Sequence, residues 1–326
     1  MNLSQVHLVT IEATSFCNLH CPQCPRFDHQ GNVTKYLTPS HLDITNFSKN
    51  FQVDQMPNLK LVQFEGDHGD IMMHPHSTEF FNLLSAVPSV VAVTNGSMRS
   101  PKWWKQLASI RNLSIVFSID GLADTNHIYR INSDFTKIMK NAQSFIDGGG
   151  RALWKFIVFR HNQHQIEQAR QLSQDMGFQD FQVIHSNRNW DSKNIWPVYV
   201  NGKYLYDIQP STSIIEISPS NNTRAINIIR NNIQITKPNC LLDTGSMYIN
   251  CRGHVLPCCM TSGKTWKKDI DSQRWQRIVG DVEKIDINHH SMADILNTDF
   301  YQKNLYLSFQ DKKTMHTSCF TCCNTI

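Results

Sequence analysis

Three cysteines near the amino terminus, Cys17, Cys21 and Cys24, have the spacing C-x3-C-x2-C and follow a run typical of a strand. Thiolates are the usual ligands of iron–sulfur clusters, and three of them can bind three irons of a [4Fe-4S] cluster. The fourth iron then has no protein ligand and is open for chemistry. Two other interpretations are a zinc site completed by His20 or His29, and ordinary buried thiols.

The ten cysteines of the chain are concentrated at its two ends. Three occur by residue 24, and the other seven all lie from Cys240 onward. In a cytosolic protein such a distribution favours metal binding or catalysis over disulfide bonds.

The composition indicates a folded, cytoplasmic protein. A chain of 326 residues is long enough for one large and one smaller domain, and its hydrophobic fraction of 40% is ordinary for a globular protein. No apolar run approaches the ~20 residues of a membrane span, and no signal peptide is visible. The formal charge of +4 comes without a basic stripe that alternates with aromatic residues, so we expect neither a membrane nor a nucleic-acid partner.

Short β-rich runs alternate with amphipathic stretches between residues 6 and 185. The predicted strands are 6–12, 60–65, 89–94, 113–119, 153–159 and 180–184. The predicted helices lie near 39–50, 75–87, 101–110, 134–147 and 163–176. Strands separated by helices predict βαβ crossovers and an α/β fold with a parallel sheet.

Several candidate ligand-binding residues follow the predicted strands. After the second strand, the glycine-rich loop with Gly69 and Asp70 offers backbone N–H groups beside a carboxylate, which suits an ammonium group, although a plain βα loop has the same composition. Asn95, after the third strand, belongs to an Asn-Gly pair that is also a common turn. Ser118 and Asp120 share one face at the end of the fourth strand, where buried polar groups need a partner.

Three further polar residues surround the last predicted strands of this region. Arg130 precedes the fourth helix and can pair with a carboxylate or close the loop. Arg160 and Asn162 follow the fifth strand and can hold a ligand in the same way. The alternative is an exposed arginine and a helix N-cap asparagine.

A second cysteine-rich region begins at Cys240. Residues 249–258 predict a β-hairpin with Arg252-Gly253 as its turn, and a distant C-x2-C pair at Cys319 and Cys322 can complete a set of four thiolates. Such a set suits either an iron–sulfur cluster or a zinc ion.

The amino-terminal motif resembles that of the radical S-adenosylmethionine (SAM) superfamily. Gln23 stands where an aromatic residue is common in that family. The resemblance implies a partial (β/α)6 TIM-type barrel. It also implies that the open iron of the [4Fe-4S] cluster chelates the amino and carboxylate groups of the methionine moiety of SAM. One electron then splits the sulfonium to give a 5′-deoxyadenosyl radical.

The same resemblance implies a set of cofactor contacts. Gly69 and Asp70 fall in the register of the segment that binds the methionine amino group, with His68 and Ile71 where glycine and proline are usual. The full set of implied cofactor-binding residues is Gly69, Asp70, Asn95, Ser118, Asp120, Arg130, Arg160 and Asn162. No residue is assigned as the catalytic acid or base.

The carboxyl-terminal region resembles the SPASM domain of these enzymes in its shortened form, called twitch. The resemblance implies one auxiliary [4Fe-4S] cluster bound by Cys240, Cys258, Cys319 and Cys322, with Cys323 as an alternative to Cys322. The predicted domains are a barrel at 1–185, a bridging segment at 186–238 with a strand or helix near 224–235, and a small cysteine-rich twitch/SPASM-like domain at 239–326.

The implied function is a radical SAM enzyme of oxidoreductase type that abstracts a hydrogen atom from a peptide or protein residue. It would receive electrons from an external one-electron donor such as flavodoxin or ferredoxin. Dehydrogenation of a small molecule, such as a sugar-like alcohol or nucleotide, is the alternative. A non-catalytic zinc-binding scaffold is a third interpretation.

Overall fold

The computed structural model describes residues 1–186, 193–212, 244–264 and 270–310. The strands are β1 Leu8–Ile11, β2 Leu61–Phe64, β3 Ser89–Thr94, β4 Leu113–Ser118, β5 Arg151–Val158, β6 Asp180–His185, β7 Trp196–Val200, β8 Lys203–Ile208, β9 Ser246–Ile249 and β10 Val255–Leu256. The α-helices are α1 Ile44–Asn50, α2 Ser77–Leu83, α3 Pro101–Leu107, α4 Asn126–Tyr129, α5 Phe135–Asp147, α6 Ile166–Met176, α7 Ile270–Val279, α8 Met292–Leu296 and α9 Leu305–Ser308.

Eight of the strands form one sheet in the order β10-β9-β1-β2-β3-β4-β5-β6. Strands β1 to β6 pair in parallel with their sequence neighbours, as the alternation of β-rich and amphipathic runs predicted. Three of the helices between them begin at side-chain caps, which are Asp43 before α1, Ser100 before α3 and Asp134 before α5. These caps satisfy the free N–H groups of a first helical turn.

The two faces of the sheet have different surroundings. In β5 alternate residues are buried, and Trp154 and Phe156 pack with helix residues such as Phe145 of α5 and Ala169 of α6 in the main hydrophobic core. Full burial of such an aromatic side chain contributes about 1.5–3 kcal/mol. The intervening residues, including Lys155, are half-buried on the opposite, inner face. The core therefore lies between sheet and helices, and the inner face is left to line a site.

The predicted hairpin of the cysteine-rich region is present, and it extends the barrel sheet. Strand β9 pairs in parallel with β1, and β10 pairs antiparallel with β9. Its turn lies one residue earlier than predicted, because the Gly253 N–H donates to Asn250 O at 2.9 Å and so places Cys251 and Arg252 at the centre. The predicted boundaries 1–185, 186–238 and 239–326 remain predictions, although the third unit shares a sheet with the first.

Strands β7 and β8 form a separate antiparallel hairpin within the predicted bridging segment. The loop after the three amino-terminal cysteines docks on it, since a Cβ atom at Gly31 would lie 2.0 Å from the Tyr199 carbonyl oxygen. The hairpin thus covers the cysteine loop. The predicted strand or helix near 224–235 lies outside the described residues.

No helix in the described part of the chain is long and apolar enough to cross a lipid bilayer.

Candidate metal and cofactor centre

The three amino-terminal cysteines lie on the loop that leaves β1, and all three are half-buried. Donors from other strand-end loops approach two of them. Asn95 Nδ2 is 3.8 Å from Cys17 Sγ, and Arg130 Nη1 is 3.9 Å from Cys21 Sγ. Together with Cys24, these sulfurs form a site in which two thiols have a side-chain N–H donor nearby.

Two metal interpretations apply to these three thiolates. Around one tetrahedral zinc ion, thiolate sulfurs lie about 3.8 Å apart. Thiolates that bind different irons of a cluster are farther apart, so the two interpretations differ in the sulfur spacing of the metal-loaded protein.

Burial raises the pKa of Cys17 to about 12 and that of Cys21 to about 11. In the metal-free chain both groups are therefore protonated at neutral pH. A metal must displace these protons, because only the thiolate is a ligand. This donor set suits a soft metal centre.

The loop after β2 lies against the chain that leads to the cysteines. The Asp70 N–H donates to Phe16 O at 2.9 Å, and a Cβ atom at Gly69 would lie 1.9 Å from Thr14 O. Only glycine permits this approach. Gly69 and Asp70 are thus beside Cys17, where the sequence predicted a cofactor-binding segment.

The carboxylate of Asp70 is buried and already accepts several hydrogen bonds. Its donors are the backbone N–H groups of Met72 at 3.0 Å and Asn95 at 2.8 Å and the hydroxyl of Thr94 at 2.9 Å. Burial raises the pKa of Asp70 and these donors oppose the shift. Asp70 therefore joins the loops after β2 and β3. Thr94 was missed by the sequence analysis, although it is a polar residue at a strand end.

Asn95 connects the turn after β3 to the cysteine loop. Its Nδ2 donates to Asn18 Oδ1 at 3.0 Å, and its Oδ1 accepts from the Ser97 N–H at 2.9 Å. Asn18 Nδ2 in turn donates to Ser97 Oγ at 2.8 Å. This network fixes Asn95 next to Cys17.

Asp120 and Arg130 form a buried ion pair beside Cys21. Arg130 Nε is 2.6 Å from Asp120 Oδ2, and the Ile157 N–H donates to Asp120 Oδ1 at 2.6 Å. Burial raises the pKa of Asp120, and Arg130 opposes the shift. Burial alone would lower the pKa of Arg130, but the Asp120 carboxylate raises it above its usual value. The pair links β4 and β5 to the cysteine loop.

Asn162 holds the ends of β4 and β5 together. Its Nδ2 donates to Asp120 O at 2.8 Å and Ile157 O at 3.0 Å, and its Oδ1 accepts from the Phe159 N–H at 2.7 Å. It occupies the N-cap position before residues 163–165, but its side chain makes no capping hydrogen bond there. Both polar atoms of the Asn162 side chain therefore bond backbone groups.

The last two predicted contacts have different surroundings. Ser118 is buried at the end of β4, where the sheet register places it next to Lys155. The sequence analysis had put it on the same strand face as Asp120. Arg160 is exposed and donates from Nη1 to Gln209 Oε1 at 2.7 Å, at the end of β8. The structure therefore brings Ser118 to the inner face and places Arg160 against the bridging hairpin.

The sequence analysis missed a buried polar network at the end of β1. Glu12 Oε1 accepts from the His68 N–H at 2.6 Å, and the Tyr248 hydroxyl donates to Glu12 Oε2 at 3.1 Å. All three side chains are buried. The network joins β1, the loop after β2 and β9, and a glutamate that ends a first strand is the signal that could have indicated it.

The predicted auxiliary ligand Cys258 follows the β9–β10 hairpin and is half-buried. Its proposed partners Cys240, Cys319 and Cys322, and the alternative Cys323, lie outside the described residues, so this ligand set stays a prediction. Cys251 is buried at the hairpin turn, where it accepts a hydrogen bond from Ser40 Oγ at 3.2 Å.

Residues 240–323 match the model of the SPASM family, an iron–sulfur cluster-binding domain. The structure of Streptococcus suis SuiB bound to precursor peptide SuiA is similar with a TM-score of 0.58 and 13% identity, over 95% of this chain and 68% of that one. Native anSMEcpe with bound AdoMet has a TM-score of 0.54 and 15% identity, over 98% and 88%. No curated protein sequence matches the chain. At these identities the structural likeness shows the fold, and it confirms the predicted partial barrel with a cysteine-rich domain.

Proposed function

We propose that this chain, which has the radical SAM fold and a SPASM domain at its carboxyl terminus, is an enzyme that reductively cleaves SAM and abstracts a hydrogen atom from a peptide or protein. When bound, the cluster and SAM would supply the 5′-deoxyadenosyl radical for this step. The observation that carries the proposal is the cysteine trio at the end of β1, where side-chain donors from two other strand-end loops approach two of the sulfurs.

The cysteines would hold three irons of the cluster, and two neighbouring donors would act on their charge. Asn95 and Arg130 each direct an N–H group toward a thiolate sulfur. Such bonds stabilise the anionic ligand and orient it. The buried position of Cys17 and Cys21 also limits access of water to the centre.

The predicted SAM contacts divide into two proposed roles. Ser118 offers an inner-face hydroxyl, which supports direct contact with the cofactor. Gly69 would contact the cofactor through its backbone, because Thr14 O fills the place of a side chain there. Asp70, Asp120 and Asn162 already bond protein groups, which supports a role in positioning the loops. The remaining proposed contacts are Asn95, Arg130 and Arg160.

The SPASM match supports an auxiliary cluster in the carboxyl-terminal region. We propose that Cys258 binds it together with Cys240, Cys319 and either Cys322 or Cys323. The hairpin that carries Cys258 is paired with β1, the strand that leads to the amino-terminal cysteines. Two centres attached to one strand pair would keep a fixed separation, which suits electron transfer to or from the substrate.

The peptide class of the substrate is supported by two structures with the same fold. SuiB was crystallised with precursor peptide SuiA, and anSMEcpe with AdoMet and the Cp18Cys peptide. Dehydrogenation of a small sugar-like alcohol or nucleotide is the alternative. The proposed reaction is of oxidoreductase type, with a flavodoxin or ferredoxin as electron donor and the cytoplasm as its location.

The test is SAM cleavage by the full chain, purified and reconstituted without oxygen. We expect a brown protein that releases 5′-deoxyadenosine when dithionite and SAM are added. The triple variant Cys17→Ala, Cys21→Ala, Cys24→Ala should lose this activity and about half of its iron, because the auxiliary ligands are separate.

Cys251→Ser is the matched control, since Cys251 is a buried thiol outside both proposed ligand sets. It should retain cleavage and iron. A colourless wild-type protein that holds zinc and releases no 5′-deoxyadenosine would support the scaffold interpretation and contradict the proposal.

A further inference from the structure

An ion pair crosses the inner face of the barrel sheet between two strands that are not neighbours. Glu65 directly follows β2 and Lys155 lies in β5, and Lys155 Nζ is 3.4 Å from Glu65 Oε1. Strands β3 and β4 separate them, so their backbones would be about 14 Å apart in a flat sheet. Both long side chains therefore extend toward each other across the inner face.

The face around this pair has the composition of a ligand site. Alternate residues of β3, β4 and β5 belong to the core on the helix side, so the residues between them face inward. Val91 of β3, Val116 of β4 and Ile157 of β5 occupy such inward positions. An apolar wall with a few placed polar groups is the usual lining of a binding pocket.

The two members of the pair interact electrostatically with different parts of the molecule. The charge of Lys155 acts on Asp120, the partner of Arg130 beside the cysteine loop. The charge of Glu65 acts on Cys259, next to the predicted auxiliary ligand.

The pair is open to solvent and has unused bonding capacity. The Lys155 side chain is 24% exposed and that of Glu65 is 42% exposed, whereas a purely structural pair at this position could be covered. Gln63 Nε2 also donates to Glu65, but a carboxylate has about four acceptor sites and an ammonium has three donors. A ligand can therefore bond both groups without separating them.

The charge of the pair indicates the ligand. A cation or an anion would compete with one member of the pair and leave the other without its partner. A neutral group with a donor and an acceptor side by side can bond both members at once. An amide has this arrangement.

We propose that Glu65 and Lys155 bind an amide group of the substrate, whose N–H donates to Glu65 and whose C=O accepts from Lys155. The amide belongs to a peptide backbone or to an asparagine or glutamine side chain. This inference rests on the proposed function and specifies how its substrate is recognised. It makes the pair a specificity determinant that SAM cleavage itself does not require.

The experiment uses the reconstituted full chain with SAM and dithionite, and its probe is the peptide fraction of cells that carry the inactive triple-cysteine variant. Mass spectrometry measures peptides whose mass changes with wild-type enzyme, and 5′-deoxyadenosine is measured without peptide. We expect Glu65→Gln and Lys155→Met to lose roughly tenfold or more of the peptide product, since each loses a bond to a charged group. Their peptide-free 5′-deoxyadenosine formation should stay within about twofold of wild type.

The double variant Glu65→Lys, Lys155→Glu exchanges the two residues. It distinguishes a role of the pair in substrate recognition from a purely structural role. It keeps an ion pair but reverses its direction, so the amide would face the wrong partners. We expect a wild-type melting temperature without recovery of the product. Recovery of the product, or full activity of both single variants, would show a merely structural pair.

The wild-type protein decides between the two levels of proposal. Failure to release 5′-deoxyadenosine would overturn the proposed function. Release of 5′-deoxyadenosine without any mass change in the peptide fraction would overturn the peptide class of the substrate and the amide inference, but not SAM cleavage. A peptide product that wild type and both single variants form equally well would overturn the amide inference alone.

Discussion

At the scale of single residues, the predicted cofactor contacts proved to be part of the loop architecture. Asp70, Asp120 and Asn162 each bond backbone groups from neighbouring strand ends. A buried polar group needs such partners whether or not a ligand is present. Sequence identifies these residues as buried and polar at strand ends, but only coordinates show that their partners are protein groups.

The Asp120–Arg130 pair should be important for stability. Arg130→Gln leaves a fully buried carboxylate without its cation, which costs about 3–5 kcal/mol in the free energy of unfolding. The double variant Asp120→Asn, Arg130→Gln also removes the unpaired carboxylate charge. It should therefore recover part of the lost free energy of unfolding. Urea unfolding of the metal-free proteins measures both, and equal stability of the single and double variants would contradict the interpretation.

At the scale of elements, the β9–β10 hairpin connects the cysteine-rich region to the barrel. Its parallel pairing with β1 places the hairpin beside the strand that leads to the first three cysteines. The β7–β8 hairpin covers the loop that carries these cysteines. Its Asn201-Gly202 turn is a strong hairpin signal that the sequence analysis did not use.

The hairpin turn at Gly253 should tolerate no side chain. Gly253 has φ +94°, and an added Cβ would lie 2.2 Å from Asn288 Nδ2. We expect Gly253→Ala to lower the free energy of unfolding by more than Gly202→Ala. Gly202 is the matched control, because it has φ +79° and no atom within 4 Å of the added Cβ.

Gly202→Ala should cost only the backbone strain, about 1 kcal/mol. Thermal and urea unfolding of both variants test the difference. Equal losses would show that the contact with Asn288 relaxes freely and that the turn does not fix the hairpin.

At the scale of the whole molecule, buried histidines should make stability depend on pH. Burial lowers the pKa of His74, His161 and His254 to about 4 each. The unfolded chain takes up these protons near pH 6.5, so it binds more protons than the folded chain between about pH 6.5 and 4. Stability should therefore fall as the pH falls through this range.

Urea unfolding of the metal-free protein at pH 7 and pH 5 measures this effect. His161→Phe is the matched variant, since it removes one titrating ring and retains an aromatic group that can stack on Phe159. Its loss of stability between the two pH values should be smaller than that of wild type. An unchanged pH dependence would show that His161 titrates normally.

The sequence by itself determined the local chemistry and the order of elements. Alternating β-rich and amphipathic runs predicted all six barrel strands and their helices, because hydrophobic period reports which face is buried. The C-x3-C-x2-C spacing predicted a thiolate site at the first strand end, because the type and the spacing of these ligands are given directly by the amino-acid sequence.

Only the tertiary structure decided which residues meet across long sequence separations. The Glu65–Lys155 pair, the Glu12–His68–Tyr248 network and the addition of β9 to β1 depend on the curvature and register of a sheet. Neither quantity is encoded in a local pattern, since each arises from packing of all strands together. The position of a polar residue was therefore predictable, whereas its partner was not.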